Sequence, residues 1–274
     1  RRRLVTVKSA PYSRYAMVYD QIGQRVFGER IAEAALRWLH ERGITPRQIA
    51  DLACGTGAAT LVLARTGAET FGVDRSPEML HIANQMAADA NLTVTWLEQD
   101  VRDLSLPVSC DLATSFFDSM NYLIGDDDLL TVAHRVAATL RPGGHFIFDL
   151  NTRRRLAEGW GNTSLIVADR DDLFGAYRSW FEPETRLSPL VLTFFVRRRD
   201  DPERWDRFDE EHVERAFELD EVQLQLQTAG FRVLEMRSFH DGSGSLGGPG
   251  TEMSERVVLF CQRDSDVPPT QASA

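Results

Sequence analysis

Ile49-Ala50-Asp51-Leu52-Ala53-Cys54-Gly55-Thr56-Gly57 reads as the end of a buried strand that enters a glycine turn, with helix-forming Ala58-Ala59-Thr60 behind it. The next apolar run, Phe71-Gly72-Val73, ends on Asp74, 19 positions after Gly55. Gly55 and Gly57 have no Cβ, so the backbone can bend sharply there and a ligand can lie against it. A strand, a glycine turn, a helix and an acid closing the next strand place a nucleoside-like cofactor at the carboxyl edge of a parallel sheet.

Outward from this stretch the same alternation continues. Strands are predicted over residues 47–53, 69–74, 92–98, 110–116 and 145–150, and helices over 58–65, 76–90 and 126–140. Ser76-Pro77-Glu78 marks a helix start, with Ser76 as N-cap and Pro77 in the first helical position. A helix over 29–41 precedes the first strand and stops at Gly43. Strands alternating with helices predict an α/β, Rossmann-like sheet of seven mostly parallel strands with helices on both faces. The alternation breaks after Asn151. From 163 to 217 the pieces are β-rich and separated by acidic and proline turns, which predicts an inserted antiparallel sheet. A helix over 218–229 and a final hairpin, 231–239 with 255–263, close the chain, and the glycine-rich connection 241–251 reads as mobile. The expected organisation is an N-terminal helical lid (1–45), a core (46–151 and 218–263), an inserted β subdomain covering the substrate (152–217) and a polar, disordered tail (264–274).

Bulk properties bound the function. The chain has 274 residues, 43% hydrophobic and 26% charged, enough for one large domain with a sizeable core. Its net charge of −10 would repel polyphosphate, so nucleic acid is not the expected partner. No apolar run reaches the length that spans a membrane, and Arg1-Arg2-Arg3-Leu4-Val5 is followed by no signal-peptide core, so the start reads as trimmed. Cys54, Cys110 and Cys261 are widely spaced in apolar strand contexts, which predicts reduced core thiols in a cytoplasmic protein and no metal site.

Three acids at three successive strand ends, Asp51, Asp74 and Asp100, face one crevice by topology. Asp51 either orders the glycine loop or reaches a ligand's ammonium. Asp74 suits the two hydroxyls of a ribose. Asp100 can accept from an adenine amino group, the Val101 amide can meet a ring nitrogen, and Met79 can pack on the adenine face. A dinucleotide fold would want a third glycine where Thr60 stands, and Asp51 would repel a diphosphate. An NAD-dependent oxidoreductase is therefore the weaker reading.

Asp51-Leu52-Ala53-Cys54-Gly55-Thr56-Gly57, Gly72-Val73-Asp74-Arg75-Ser76-Pro77-Glu78-Met79, Gln99-Asp100-Val101-Arg102-Asp103 and Leu140-Arg141-Pro142-Gly143-Gly144 together resemble the class I S-adenosylmethionine-dependent methyltransferases over residues 47–151. The resemblance implies that S-adenosyl-L-methionine is the cofactor and S-adenosyl-L-homocysteine the product. It places Ala53, Gly55, Gly57 and Phe116 along the methionine part with Asp51 near its ammonium. It also places Asp74 at the ribose, Met79 beside the adenine, and Asp100 and Val101 at the adenine amino edge, with Arg75 a further cofactor-binding residue. Ala53 stands where the family's first glycine is common. Tyr15-Ala16-Met17-Val18-Tyr19-Asp20 resembles the N-terminal lid of small-molecule members, including sugar N-methyltransferases, which implies a cofactor contact for Tyr15. From position alone the two tyrosines are either this lid or anchors of the helix core.

The stretch after the fourth strand, which includes Phe117, Asn121 and Tyr122, is where this family contacts substrate; with Tyr19 these are the expected substrate-binding residues. The N-P-P-Y and D-P-P-Y signatures of nucleobase and glutamine methylation are absent. His212 in the insert is the candidate general base, or else a strand residue among solvated charges. Arg153-Arg154-Arg155 either binds an acidic group or wets a helix. Trp160, Tyr177, Trp180 and Phe181 either fill the insert's core or stack on substrate. The expected function is transfer of a methyl group to nitrogen or oxygen of a small molecule by in-line displacement. An RNA-modifying methyltransferase and a non-catalytic cofactor-binding module are the alternatives. A homodimer through the insert is a further expectation.

Overall fold

The computed structural model describes residues 8–9 and 11–264; the tail expected to be disordered lies, from residue 265 onward, outside the described residues. A two-residue strand β1 (Lys8–Ser9) leads to a short helix α1 (Ala16–Tyr19), a 3-10 turn over Asp20–Ile22 and the long helix α2 (Gln24–His40). The helix expected from residue 29 thus begins five residues earlier, after Gly23 takes a φ of 90°. The organising stretch forms β2 (Gln48–Leu52) and α3 (Ala58–Ala64). Next come β3 (Glu69–Asp74), α4 (Pro77–Asp89), β4 (Thr95–Glu98), β5 (Cys110–Ser115), α5 (Asp128–Thr139) and β6 (Leu140–Asn151). Then β7 (Thr163–Asp169), β8 (Leu173–Ser179), β9 (Leu187–Arg197) and β10 (Trp205–Arg215) form a second sheet. The chain returns through α6 (Leu219–Thr228), β11 (Phe231–His240), β12 (Ser245–Pro249) and β13 (Arg256–Arg263).

The large sheet has the order β12-β11-β13-β6-β5-β2-β3-β4, with β2 to β6 mutually parallel and the last three strands antiparallel. It has eight strands rather than seven. The glycine-rich connection supplies the extra one, because Ser245–Pro249 pairs with β11 instead of remaining a free loop. The central strands are buried on both faces, as a parallel sheet requires. Ile49 and Leu112 point to α2 and α3, while Ala50, Leu52 and Ala113 point to α5 and α6, which is the period-two alternation of a strand. The chain leaves β2 toward β3 on one side and later returns to β5 on the other. The carboxyl end of β2 is therefore the topological switch point where a crevice opens.

The second sheet has the order β1-β10-β9-β8-β7 and is antiparallel except for the β1–β10 pair. Its inner face shares a core with the N-terminal segment: Tyr15 and Val18 pack on Leu192, Phe194 and Phe208. The segment before α2 is thereby clamped over the switch point.

Candidate functional site

The loop after β2 is held open by left-handed backbone at Ala53 (φ 51°), Gly55 (φ 55°) and Gly57 (φ 81°). At Ala53 that conformation costs on the order of 1 kcal/mol, which a glycine would not incur. Cys54 N–H donates to the carbonyl of Val73 (3.0 Å), tying the loop to β3. Asp74 finishes the loop: its Oδ2 accepts from Gly55 N–H and its Oδ1 from Ser76 N–H, each at 2.8 Å. Ser76 caps α4, its Oγ accepting from Met79 N–H at 3.2 Å. Asp51 is buried and accepts from the hydroxyls of Thr60 (2.6 Å) and Thr114 (2.7 Å). Burial pushes its carboxyl up to about 6, against those two hydrogen bonds. Those two bonds tie the end of β2 to α3 and to β5.

These elements line a cavity of about 410 Å³ at the switch point, within the range of small-molecule sites. Asp51, Ala53, Gly55, Asp74, Arg75, Met79, Asp100, Val101 and Phe116 all line it. Nothing lies within 4 Å of a Cβ built on Gly55, so the backbone there is bare toward the cavity. Asp100 is gripped by Arg102, whose guanidinium donates to both carboxylate oxygens (2.9 and 2.7 Å) and holds the carboxyl below its ordinary value.

Gly57 is a correction. It lines neither this cavity nor the next, and a Cβ on it would meet Trp96 Cη2 at 2.9 Å and Ala83 Cβ at 3.1 Å. Its missing side chain serves the packing of the turn on α4 and β4. Asn121 is a second correction. It is fully buried and lines neither cavity. Its amide donates to the carbonyls of Asn151 (3.0 Å) and Arg215 (2.8 Å), and its oxygen accepts from Asn151 N–H (2.9 Å). It clasps β6 to β10 rather than facing a substrate. Tyr15 is displaced as well: it lines the second cavity and not the first, stacks on Phe194 and shares a 2.5 Å hydrogen bond with Tyr177.

The second cavity, of about 680 Å³, lies between the N-terminal segment and the second sheet. Tyr12, Tyr19, Gln24, Phe117 and Tyr122 line both cavities and form the wall between them. Trp160, Tyr177, His212 and Glu214 line only the second. Trp180 is exposed, as are Arg153 and Arg154, while Phe181 is half-buried. Arg155 lines the second cavity, paired with Asp241 at 2.7 Å. His212 is buried rather than solvated: Tyr122 Oη lies 3.0 Å from its Nδ1 and Glu210 Oε2 lies 3.3 Å from its Nε2.

Beneath the shared wall is a buried ionic cluster that the sequence did not announce. Arg256, wholly buried, pairs with Asp149, with Asp118 (2.8 Å) and with Asp241 (3.1 Å). Asp149 also accepts from the amides of Phe117 (2.6 Å) and Asp118 (3.0 Å). Those two residues hold left-handed φ values of 64° and 53°, so the cluster fixes a strained bend at the wall. Burial pushes the Asp149 carboxyl up to about 6 even beside Arg256. Burial and the nearby Asp118 charge push Glu214 well up. Tyr12, Arg102, Asp118, Glu214 and Arg256 are the site residues that sequence reasoning missed. All three cysteines are free, and no cluster of metal-ligating side chains occurs among the described residues. No helix of the described residues is long and apolar enough to cross a membrane.

Comparison with known proteins agrees with this geometry. Residues 49–144 match the family described as methyltransferase domain. The chain is 31% identical to "Putative methyltransferase YqeM" of Bacillus subtilis, over 93% of this chain and 98% of that one. It is 30% identical to an S-adenosylmethionine-dependent methyltransferase from Clostridium acetobutylicum, with a TM-score of 0.80 over 92% of this chain and 99% of that one. CalS10, an amino pentose methyltransferase from Micromonospora echinaspora solved with S-adenosylmethionine, shares the fold: TM-score 0.69 at 18% identity, over 94% of this chain and 99% of that one.

Proposed function

The chain belongs to the S-adenosylmethionine-dependent methyltransferases, and from that premise we propose that its methyl acceptor is a small molecule, bound in the second cavity and attacking through nitrogen or oxygen. The observation that carries this reading is the shared wall. The 410 Å³ and 680 Å³ cavities adjoin along Tyr12, Tyr19, Phe117 and Tyr122, so a small molecule held in the second would lie beside the methyl donor in the first. The amino pentose substrate of CalS10 is of the size such a chamber admits.

Bound S-adenosylmethionine supplies a sulfonium methyl open to in-line attack, so the protein's work is alignment. In this reading Asp74 accepts from the ribose hydroxyls, because each of its oxygens keeps a lone pair beyond the amide it already holds. Met79 packs on the adenine, Asp100 and the Val101 amide take its polar edge, and Arg75 borders the ribose. Ala53, bare Gly55 and the Phe116 carbonyl border the methionine part, with Asp51 behind them. Tyr19, Phe117 and Tyr122 touch the acceptor, and Tyr15 serves the acceptor's cavity rather than the cofactor's.

The test is methyl transfer from methyl-labelled S-adenosylmethionine to separate panels of small amines, small hydroxyl compounds and bulk tRNA. Label in a small molecule is expected. Label confined to tRNA would replace this reading with the RNA-modifying one. Calorimetric binding of S-adenosylhomocysteine with no label in any panel would favour a non-catalytic module. An Asp74→Ala variant should bind S-adenosylhomocysteine at least about tenfold more weakly, since two loop amides and the hydroxyl contacts lose their acceptor.

A further inference from the structure

We propose that Tyr12, Tyr122 and His212 form a proton relay that carries the acceptor's proton from the shared wall to a buried imidazole, with the Glu210 carboxylate fixing its far end. The proposal rests on the second cavity being the acceptor's site.

The geometry is a continuous chain of hydrogen bonds. Tyr12 Oη donates to Tyr122 Oη at 2.8 Å, Tyr122 Oη lies 3.0 Å from His212 Nδ1, and His212 Nε2 lies 3.3 Å from Glu210 Oε2. The partners fix its direction. Glu210 is wholly buried and also accepts from the amides of Tyr12 (2.8 Å), Arg14 (2.7 Å) and Tyr15 (2.8 Å). Burial pushes its carboxyl up, but the bonds from His212 and these amides outweigh that and hold it below the ordinary value. An ionised carboxylate only accepts, so His212 carries its proton on Nε2 and leaves Nδ1 as a lone pair. Nδ1 then accepts from Tyr122 O–H, Tyr122 oxygen accepts from Tyr12 O–H, and the Tyr12 oxygen keeps lone pairs for a donor at the wall. Tyr12 lines both cavities, and its ring stands edge-on to the imidazole at 4.8 Å.

The step balances. The acceptor's nitrogen or oxygen forms the bond to the methyl carbon, and the carbon–sulfur bond breaks with its electron pair going to sulfur. The acceptor's proton moves to Tyr12, that of Tyr12 to Tyr122, and that of Tyr122 to Nδ1. The positive charge lost from sulfur thus reappears as an imidazolium against Glu210. Burial pushes both phenols well above their ordinary value, so neither phenol holds the charge as a phenolate and the proton comes to rest on the ring. His212 does not touch the acceptor, because Tyr122 occupies its Nδ1; it acts through the two phenols. The charged and titratable groups around the ring are Glu210 and Glu214 on its own strand, Tyr12 and Tyr15 from the N-terminal segment, and Tyr122 and Asp118 from the bend after β5.

Ring tautomer is the decisive measurement and needs no acceptor. The full chain is labelled with 15N-histidine, and the His212 signals are identified by their loss in His212→Gln. The expected ring is the Nε2–H tautomer. Its Nδ1 signal should shift in Tyr122→Phe while Nε2 stays, and Nε2 should shift in Glu210→Gln. An Nδ1–H tautomer, or an Nδ1 signal unmoved in Tyr122→Phe, overturns the relay. With an acceptor found in the amine and hydroxyl panels, Tyr122→Phe and His212→Gln should each lower kcat on the order of 100-fold. Their double variant should fall no further, and S-adenosylhomocysteine affinity should stay within about twofold as the check on folding. Multiplicative losses in the double variant would assign the residues separate structural roles and overturn the relay. Failure of every small acceptor would instead count against the proposed function, and the tautomer would still decide the relay.

Discussion

Replacing Arg256 with methionine tests the ionic cluster beneath the wall. The guanidinium is wholly buried, faces Asp118, Asp149 and Asp241, and lies 4.5 Å from the Phe27 ring centroid. Methionine keeps much of the apolar stem contact and removes the charge, leaving buried carboxylates uncompensated at about 3–5 kcal/mol. The variant can escape only by protonating them. Binding a proton to a carboxyl whose unfolded value is about 3.9 costs about 5 kcal/mol at pH 7.5 and about 2 kcal/mol at pH 5.5. The penalty should therefore shrink by about 2–3 kcal/mol for each carboxyl forced to take a proton as pH falls between those values. The wild type has the same sign more weakly. Asp51 and Asp149 are raised to about 6 in the folded protein, so it binds more protons than the unfolded chain between about pH 4 and 6. Their contribution is fully present below about pH 4 and is lost as pH rises through about 6. Urea unfolding of both proteins at pH 5.5 and 7.5 reads the difference. A destabilisation below about 1 kcal/mol at pH 7.5, or one equal at both pH values, would refute the reasoning.

Gly57→Ala should lower stability by about 1–3 kcal/mol in the same unfolding assay, because the new Cβ meets Trp96 and Ala83 in a left-handed backbone; an unchanged midpoint would return Gly57 to a ligand role. Asn121→Ala should cost about 2–4 kcal/mol, since it strands the buried carbonyls of Asn151 and Arg215 and the Asn151 amide. If stability holds and only acceptor KM rises, Asn121 binds substrate after all.

The parts of the site that were legible are those that topology alone fixes. Asp51, Asp74 and Asp100 had to share an edge once β2, β3 and β4 were parallel neighbours, and all three line one cavity. Gly57 was misread because a turn glycine bare to a ligand and one bare to a tryptophan look alike in sequence; what separates them is Trp96, some 40 residues away. Asn121 was misread for a related reason. A polar residue after a strand end serves a substrate or clasps two strands, and only the pairing of β6 beside β10 decides. Arg256 opens a strand whose next five residues are apolar, and its partners, Asp118, Asp149 and Asp241, come from three separate segments. No local pattern joins them. His212 was visible, but its neighbours read as a solvated charge run. Glu210, His212 and Glu214 recur at period two and are all buried, so the alternation itself carried the inward face.

That alternation makes β10 a partition. Glu211 and Val213 border the first cavity, while His212 and Glu214 border the second. One strand thus presents opposite faces to the two cavities. Its eleven-residue pairing with β9 fixes which face is which, because a slip of one residue would exchange them. The same strand supplies Glu210, which holds the amides of Tyr12, Arg14 and Tyr15. The N-terminal tyrosines are therefore not an independent cover laid over a finished site. Their backbone hangs from the carboxylate that also orients His212. Whatever sets the register of the second sheet then sets at once where the N-terminal segment hangs, which side chains border each cavity and the hydrogen-bond chain that runs from Tyr12 through Tyr122 to His212.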